Sequence, residues 1–165
     1  MDEINKILEY LQAKDAEKRE RRKQPYSKPD SLRQLERLHL ERKNAKRPGF
    51  AHIKTTFRDD SANALTRSIT AWLQLHGHFA ARVNTTGTYN QKLKKYIHSG
   101  SRRGMADITA VINGRHVSIE IKHGKDRILP EQLKVKSEIE QAGGIYIIAS
   151  TFDNFLQQIK NIQNQ

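Results

Sequence analysis

The sequence contains no cysteine, which excludes a disulfide framework, a thiolate metal site and a cysteine nucleophile. It also lacks an apolar run as long as a membrane span, and its start, MDEINKILEYLQAKD, does not have the basic-then-apolar order of a secretion signal. These absences predict a soluble, cytoplasmic protein with no membrane partner. The 165 residues suffice for one domain with its own core and some additional helix.

Acidic residues are few beside the basic ones: 18 Asp and Glu stand against 30 Lys and Arg, which gives a formal net charge of +12. A globular chain of this charge favours a polyanionic partner, and inside a cell that partner is most often nucleic acid. Composition alone fits a basic protein kept soluble by its charge nearly as well. The excess is spread along the chain, with 14 basic and 9 acidic residues in 1–50 and 16 and 9 in 51–165.

Two helical segments are predicted before residue 50. Apolar residues at positions 4, 7, 8 and 11 predict an amphipathic first helix, and the two prolines of QPYSKPD interrupt it. Leucines at positions 32, 35, 38 and 40 predict a second helix that begins at about Asp30 or Ser31. These helices have too few apolar residues to form a core alone. We therefore expect residues 1–50 to be a basic helical extension that packs on the rest of the molecule, on a second copy or on a partner.

Residues 51–165 are predicted to form an α/β domain in the order α-β-β-β-α-β, closed by a further helix. The expected elements are a helix over 61–75 capped by Asp60 or Ser61, a strand in HFAARVNT, a basic loop over 86–104, a hairpin within 104–124, a helix over 130–142, a strand in IYIIA and a helix in TFDNFLQQIKNIQ. Glycines follow the helices predicted over 61–75 and 130–142 and indicate where each ends.

The hairpin contains the most informative pattern in the chain. The Asn-Gly pair at 113–114 is the preferred pair for a two-residue type I′ turn, and such a turn sets the strand register. In that register Ile108 faces Ile119 on an apolar side of the sheet, and Asp107 faces Glu120 on the other side. Two opposed carboxylates repel unless a cation lies between them. Oxygen ligands with room for water suit Mg²⁺ or Mn²⁺ better than zinc.

Two further polar residues are predicted at this end of the sheet. Lys122 projects on the same face as Glu120, where it can reach a phosphate or the attacking water. It could equally neutralise the carboxylates on a solvated surface. Gln132 heads an inward stripe of the next helix whose apolar members are Val135, Ile139 and Ala142. It therefore points toward the carboxylates, although at that position it could also cap the helix or face water.

The segment between NTTG and MADI alternates cations with Tyr89 and Tyr96. Cations can neutralise phosphates, and aromatic rings can stack on unpaired bases. We therefore expect this segment to contact DNA, a solvated loop being the alternative. The cations concerned are Lys92, Lys94, Lys95, Arg102 and Arg103.

Taken in order, GMADI, IEIK, Gln132 and AGGIYIIA resemble the PD-(D/E)XK nuclease fold, specifically the virus-type replication-repair nuclease (VRR-NUC) group and its phage-borne relatives. The resemblance covers roughly Thr56 to Phe155 and implies a restriction-endonuclease-like core. It includes RVNTTG, in which Arg82 and Asn84 are expected to contact DNA.

The resemblance also implies roles for the residues at the end of the hairpin. Asp107, Glu120 and the backbone carbonyl of Ile121 would bind the metal. Lys122 would activate water or stabilise the transition state, and Gln132 would support the site.

One position departs from the family pattern. Many relatives place a glutamate on the first helix of the domain, where this chain offers only Asn63 or Thr66. An amide oxygen is a weaker ligand than a carboxylate, so we expect a one-metal site or low activity.

The leading hypothesis is a Mg²⁺- or Mn²⁺-dependent DNA endonuclease that hydrolyses phosphodiester bonds in branched or structured DNA during replication, recombination or repair. It would act in the cytoplasm of a bacterial cell or the nucleoid of a phage-infected one. The alternatives are a nucleic-acid-binding module with a degenerate, non-cleaving site and an adaptor whose residues 1–50 dock another protein. Related junction-cutting enzymes of this fold work as two-fold dimers, so a homodimer is implied by analogy.

Overall fold

The structure, a computed structural model, describes residues 9–10, 12–14, 26–51, 55–84, 87–97 and 100–163. The first predicted helix lies mostly outside these ranges, and those of its residues that are described, 9–10 and 12–14, are helical. Within the described ranges, no helix combines the length and apolar character that a membrane span requires.

Helix α1 (Asp30–Lys46) confirms the second predicted helix and shows what it packs on. Leu32 and Leu35 are buried in the main core, whereas Leu38 and Leu40 are half-buried. The helix packs on the rest of the molecule, the first of the three expected partners. The change of composition near residue 50 consequently does not mark a boundary in the packing.

The chain before and after α1 is also tied to the domain by polar contacts. The Tyr26 hydroxyl donates to Asp59 Oδ1 at 2.7 Å, and the backbone N–H of Phe152 donates to the other oxygen of Asp59 at 3.1 Å. Glu36 on α1 accepts from the backbone N–H of Phe57 at 2.7 Å. These bonds join three distant segments around one corner of the core.

Helix α2 (Ala62–Leu75) begins and ends where its sequence signals predict. The backbone N–H of Ala64 donates to the Ser61 side chain, so Ser61 is the N-cap. Gly77 follows the helix with φ +82°, a conformation that a residue without a side chain adopts readily. The buried stripe of α2 consists of Leu65, Thr66, Ser68, Ile69 and Leu73.

A mixed four-stranded sheet forms the centre of the domain. Its strands, in the order in which they lie side by side, are β1 (Phe79–Arg82), β4 (Ile108–Ile112), β5 (Arg115–Ile121) and β6 (Ile145–Ala149). Strands β2 and β3 belong to a separate sheet, which is described below. The first three pair antiparallel, and β6 pairs parallel to β5. The parallel crossover is made by helix α3 (Pro130–Gln141), and helix α4 (Phe152–Gln163) closes the chain. The expected α/β class is confirmed at this level.

The predicted basic loop was wrong in one respect, because the segment contains a second, two-stranded sheet. Strands β2 (Thr88–Asn90) and β3 (Lys95–Ile97) pair antiparallel. The Asn90 side chain accepts from the backbone N–H groups of Lys92 and Leu93 at 3.0 Å each and stabilises the connecting turn. An asparagine that bonds to the backbone two and three residues later is a local turn signal.

The register expected for the hairpin is confirmed along the paired strands. Ile108 pairs with Ile119 and Ile112 with Arg115, across a turn in which Asn113 and Gly114 have φ of 51° and 78°. Both φ values are positive, as a type I′ turn requires.

The two faces of the sheet bury different sets of side chains. One face packs on α1, α2 and α4 and contains the larger cluster, whose strand members include Ile108, Ala110, Val117, Ile119 and Ile121. The other face packs on α3, where Ala106, Val135 and Tyr146 form a small cluster. Ala142 was predicted to face inward and is exposed, because α3 ends at Gln141 and Ala142 is its C-cap.

Candidate functional site

Glu120 lies on the face of the sheet that packs against α3, near the end of β5, and only 3% of its surface is exposed. Three side chains donate to its carboxylate. Gln132 Nε2 lies 2.5 Å from Oε1, Lys122 Nζ lies 3.0 Å from the same oxygen, and the Tyr146 hydroxyl lies 3.5 Å from Oε2. A buried carboxylate is stable only when such partners replace the water it has lost.

Lys122 is nearly as buried as the carboxylate with which it pairs. The side chains of Lys122 and Glu120 are 10% and 4% exposed, so this ion pair does not lie on a solvated surface. Lys122 Nζ also lies 3.6 Å from a carboxylate oxygen of Asp126, which is much more exposed. The ammonium is therefore held at the edge of the site by two carboxylates.

Asp107 lies where β1, β4 and β5 meet. Its Oδ2 accepts from the backbone N–H of Ile121 at 2.9 Å, and its backbone carbonyl accepts from the N–H of Val83 at 2.8 Å. The β4–β5 ladder ends at the pair Ile108–Ile119, so Asp107 reaches across to the β5 backbone just beyond the paired residues. The sequence register thus brings Asp107 and Glu120 to the same end of the hairpin.

Gln132 has two functions at once, because one of its amide atoms caps a helix and the other reaches the site. Its Oε1 accepts from the backbone N–H of Leu129 at 2.9 Å, which stabilises the start of α3, while its Nε2 donates to Glu120. Pro130 at the first position of α3 favours the helix start that places Gln132 here. The cap and the site contact, which the sequence left as alternatives, are both present.

Gly104 allows the segment before Asp107 to approach the start of α3. It has φ +82°, and a Cβ atom there would lie 2.5 Å from the carbonyl oxygen of Glu131. No larger residue fits without moving the backbone of one segment or the other. The glycine of GMADI is therefore a packing requirement of the site.

The electrostatics of the site are set first by burial. Burial raises the pKa of the Glu120 carboxyl, and the negative charge of Asp107 raises it further. The hydrogen bonds from Lys122 and Gln132 act in the opposite direction but do not cancel the increase. Burial, together with the nearby Glu120, also raises the pKa of the Tyr146 hydroxyl, which consequently stays protonated and able to donate. The Glu120 carboxylate is therefore protonated more readily than an exposed glutamate.

The atoms of the site that could bind a metal ion are all oxygens. Among the described residues, no group of three or more His, Asp or Glu side chains converges on one point. Two carboxylates with the backbone carbonyl of Ile121 nonetheless match the way Mg²⁺ is usually bound, through one or two carboxylates with waters and substrate phosphate as further ligands. By their chemistry these oxygens suit a hard divalent cation better than zinc.

Helix α2 supplies no further ligand to this group. Asn63 Oδ1 accepts from Arg82 Nη2 at 2.7 Å, and the Thr66 hydroxyl donates to the carbonyl of Ala62 at 2.8 Å. In the part of the chain that the structure describes, neither side chain bonds to Asp107 or Glu120. In the structure, as in the sequence, neither residue takes the place of the glutamate that the family pattern has on this helix.

The predicted DNA-binding residues fall into two groups. Lys92, Lys94 and Lys95 are exposed on the β2–β3 hairpin, where the neighbouring rings of Tyr89 and Tyr96 are 53% and 64% exposed. These rings lie on paired residues, with centroids 6.1 Å apart and ring planes inclined by 54°. Cations and open aromatic faces are thus presented together.

The other predicted contacts are partly engaged within the protein. Arg102 forms a two-pronged ion pair with Glu138 of α3 at 2.6 and 2.8 Å, which stabilises the loop and leaves less charge for an external phosphate. Arg103 is exposed. Arg82 bonds to Asn63, and the backbone carbonyl of Asn84 accepts from the Ser101 hydroxyl at 2.8 Å.

Tyr146 is a site residue that sequence reasoning missed. It lies in the apolar strand IYIIA, beside Ser118 in the parallel ladder, and its hydroxyl reaches Glu120. The signal that could have identified it is a tyrosine at an alternate position of a buried strand, since a buried hydroxyl needs a partner.

No family model, curated protein or solved structure matches this chain.

Proposed function

We propose that this protein is a metal-dependent DNA endonuclease of the PD-(D/E)XK type, with a restriction-endonuclease-like core, that hydrolyses phosphodiester bonds in branched or structured DNA. The observation that supports this most strongly is the buried Glu120 carboxylate, which is oriented by Gln132, paired with Lys122 and adjacent to Asp107. A carboxyl group whose pKa is raised by burial and by a neighbouring negative charge is typical of functional sites.

In this proposal Asp107, Glu120 and the backbone carbonyl of Ile121 hold one Mg²⁺ or Mn²⁺. When bound, the ion would make water more acidic and would neutralise charge on the phosphate. The hydrogen bonds from Gln132 and Tyr146 keep the Glu120 carboxylate in one orientation and limit its access to bulk water.

Lys122 is the group that can act on the substrate directly. Its ammonium lies 3.0 Å from Glu120 and retains donors that can reach a non-bridging phosphate oxygen or the attacking water. Preorganised donors aimed at developing negative charge lower the barrier most in a site from which water is largely excluded. The 10% exposure of the Lys122 side chain meets that condition.

The β2–β3 hairpin would hold the substrate while the site cleaves it. Exposed lysines neutralise backbone phosphates, and Tyr89 and Tyr96 stack on bases that are not paired. The proposed setting is the cytoplasm, with a homodimer by analogy to junction-cutting enzymes of this fold.

A second function is a nucleic-acid-binding module with a site that no longer cleaves. The observation in its favour is that α2 offers Asn63 and Thr66, already bonded to Arg82 and Ala62, where a further carboxylate would help to hold metal. In this function the chain would bind nucleic acid through the same basic surfaces without hydrolysing it.

Both functions are tested by one panel of labelled substrates: a four-way junction, a flap, a single strand and a duplex, each with Mg²⁺, Mn²⁺ or chelator. We expect cleavage that needs metal in the parent and is absent from Asp107→Asn. Binding without cleavage by the parent on every substrate would reject the endonuclease and support the binding module.

A further inference from the structure

A groove between α1 and α2 has a concentration of positive charge that the proposed active site does not use. Two adjoining cavities, of about 730 and 240 Å³, share His39 and Lys43 in their walls. The basic residues that line them, which we call the groove cations, are Arg42, Lys43, Lys46, Arg67 and Arg82, and His39 lies among them. The described residues that line either cavity include no Asp or Glu.

Three of the groove cations contact neutral partners. Lys43 Nζ lies 3.1 Å from the Thr55 hydroxyl, and Arg67 lies 5.8 Å from the centre of the Phe57 ring. Arg82 donates to the Asn63 amide. Within the described residues, no carboxylate lies within ion-pair distance of these side chains.

Some cations elsewhere in the described residues are neutralised by a carboxylate. Arg58 pairs with Asp60, and Arg102 pairs with Glu138. The positive charge of the groove is therefore available to a ligand from outside the chain.

Two of the groove cations, Lys43 and Arg67, act on the same histidine ring. Burial lowers the pKa of the His39 ring, and the positive charges of Lys43 and Arg67 lower it further. Mutual repulsion among cations in one concave surface costs stability unless an anion relieves it. The groove is therefore suited to a negatively charged ligand.

The position of the groove connects it to the candidate active site. Arg82, at one end, pairs with Ile108 in the β1–β4 ladder, and the next residue, Val83, donates its N–H to the carbonyl of Asp107. From Asn63 at that end to Gln74 at the other, α2 runs about 16 Å along the groove. This is about the axial length of four or five phosphates on one strand of duplex DNA.

We propose that the α1–α2 groove binds the phosphate backbone of a nucleic-acid strand that continues from the active site. Cations spread over this length match a chain of phosphates better than a single one, and they contact phosphate without reading sequence. The inference rests on the proposed function for its ligand but not for cleavage.

The test measures binding in chelator, where no cleavage occurs, to a labelled duplex and to a single strand at several salt concentrations. The variant is Lys43→Gln/Arg67→Gln, and the matched control is Lys134→Gln/Lys160→Gln, which removes the same charge from α3 and α4. We expect the groove variant to lower the log–log salt slope on duplex by about 1.8, at about 0.9 per neutralised phosphate. The control should change it by less than about 0.5, because its lysines contact no strand.

A second pair, Arg42→Gln/Lys46→Gln, protects the test against a folding defect. Both side chains are exposed on α1, so their replacement should leave the melting temperature unchanged while lowering the slope in the same way. Equal slopes for the groove variants and the control would overturn the proposal. Saturable displacement of the strand by inorganic phosphate at constant ionic strength would also overturn it, in favour of a site for a free phosphate.

These results separate the groove from the endonuclease. If the parent cleaves nothing but the groove variants have a lower salt slope, the groove stands and the proposed activity fails. If the parent cleaves and the slopes are equal, the activity stands and the groove fails.

Discussion

The carboxylate site and the β2–β3 hairpin hold charge in opposite ways. At the site, Glu120 and Lys122 are buried, paired and surrounded by fixed donors. On the hairpin, Lys92, Lys94 and Lys95 are exposed, and within the described residues they form no ion pair. The first arrangement favours precise placement of reacting groups, and the second favours attraction of a polyanion. Variants should therefore separate chemistry and stability, which depend on the site, from binding, which depends on the basic surfaces.

The largest expected effect is the loss of cleavage in Asp107→Asn. The variant removes a proposed metal ligand but keeps an oxygen that can accept from the Ile121 N–H, so the backbone hydrogen bond should survive. We expect cleavage to fall to the level of buffer, measured on the substrate panel. Duplex binding in chelator should match the parent.

The same variant tests whether Asp107 is there for metal. Without metal it should be as stable as the parent or more stable by up to about 1 kcal/mol, because repulsion of Glu120 is removed. Added Mg²⁺ should raise the melting temperature of the parent more than that of the variant. A destabilised variant, with a parent that does not respond to Mg²⁺, would reject the metal site.

The next largest effect is a decrease in the stability of Lys122→Met. Removing the ammonium leaves a buried carboxylate without its cation, and breaking a buried pair in this way costs about 3 kcal/mol. Urea unfolding at neutral pH measures the decrease. Lys125→Met, in the exposed segment beside the site, is the matched control and should change the unfolding free energy by under about 0.5 kcal/mol.

A double variant sharpens that result. Glu120→Gln/Lys122→Met removes both charges, so most of the stability missing from Lys122→Met should be recovered. If the double variant is no more stable than the single one, packing rather than the unpaired charge accounts for the decrease.

A smaller effect is expected from pH. The raised pKa of Glu120 means that the folded protein holds this proton more strongly than the unfolded chain does. In metal-free buffer, the unfolding free energy should therefore fall as pH rises from the ordinary glutamate pKa through the raised one, and then level off. Mg²⁺ should bind more tightly over the same interval, because it competes with the proton.

Melting temperatures from mildly acidic to neutral pH, with and without Mg²⁺, measure this dependence. Glu120→Gln is the control, since it cannot titrate and should lack this part of the decline. A parent and variant with identical profiles would show that Glu120 titrates normally.

The smallest effect on the folded protein is expected from Lys92→Ala/Lys94→Ala/Lys95→Ala. These exposed side chains contribute little to stability, so the melting temperature should not change. The salt slope for duplex binding should fall by about 0.9 for each phosphate that the variant no longer neutralises. Lys134→Ala/Lys136→Ala/Lys160→Ala removes equal charge from α3 and α4. Equal slopes in the two triple variants would remove the hairpin from the interface.

Much of the local architecture followed from the sequence. The Asn-Gly turn and the alternation of apolar residues predicted the β4–β5 register, and the structure has the pairs expected. Ser61 and Gly77 marked the ends of α2, and Pro130 marked the start of α3. These features depend on residues close together in the chain, so local sequence signals were sufficient to locate them.

The loop over 86–104 and the apolar stripe of α3 were predicted less well. The β2–β3 hairpin was missed because its strands are three residues each and its turn depends on one asparagine. Ala142 was placed in the core although α3 ends before it. Short strands and helix ends carry weak signals because few residues contribute to each.

The sequence by itself therefore determined that Asp107, Glu120 and Lys122 lie at one end of one hairpin, because turn type and side-chain alternation are local. Only the tertiary structure decided how deeply that end is buried and which side chains surround it. Glu120 is buried because Gln132 and Tyr146, 12 and 26 residues away, close over it from α3 and β6. The α1–α2 groove likewise exists only because Leu32 and Leu35 hold α1 against the core. Burial and charge density depend on segments distant in the chain that folding brings together, and no local pattern encodes them.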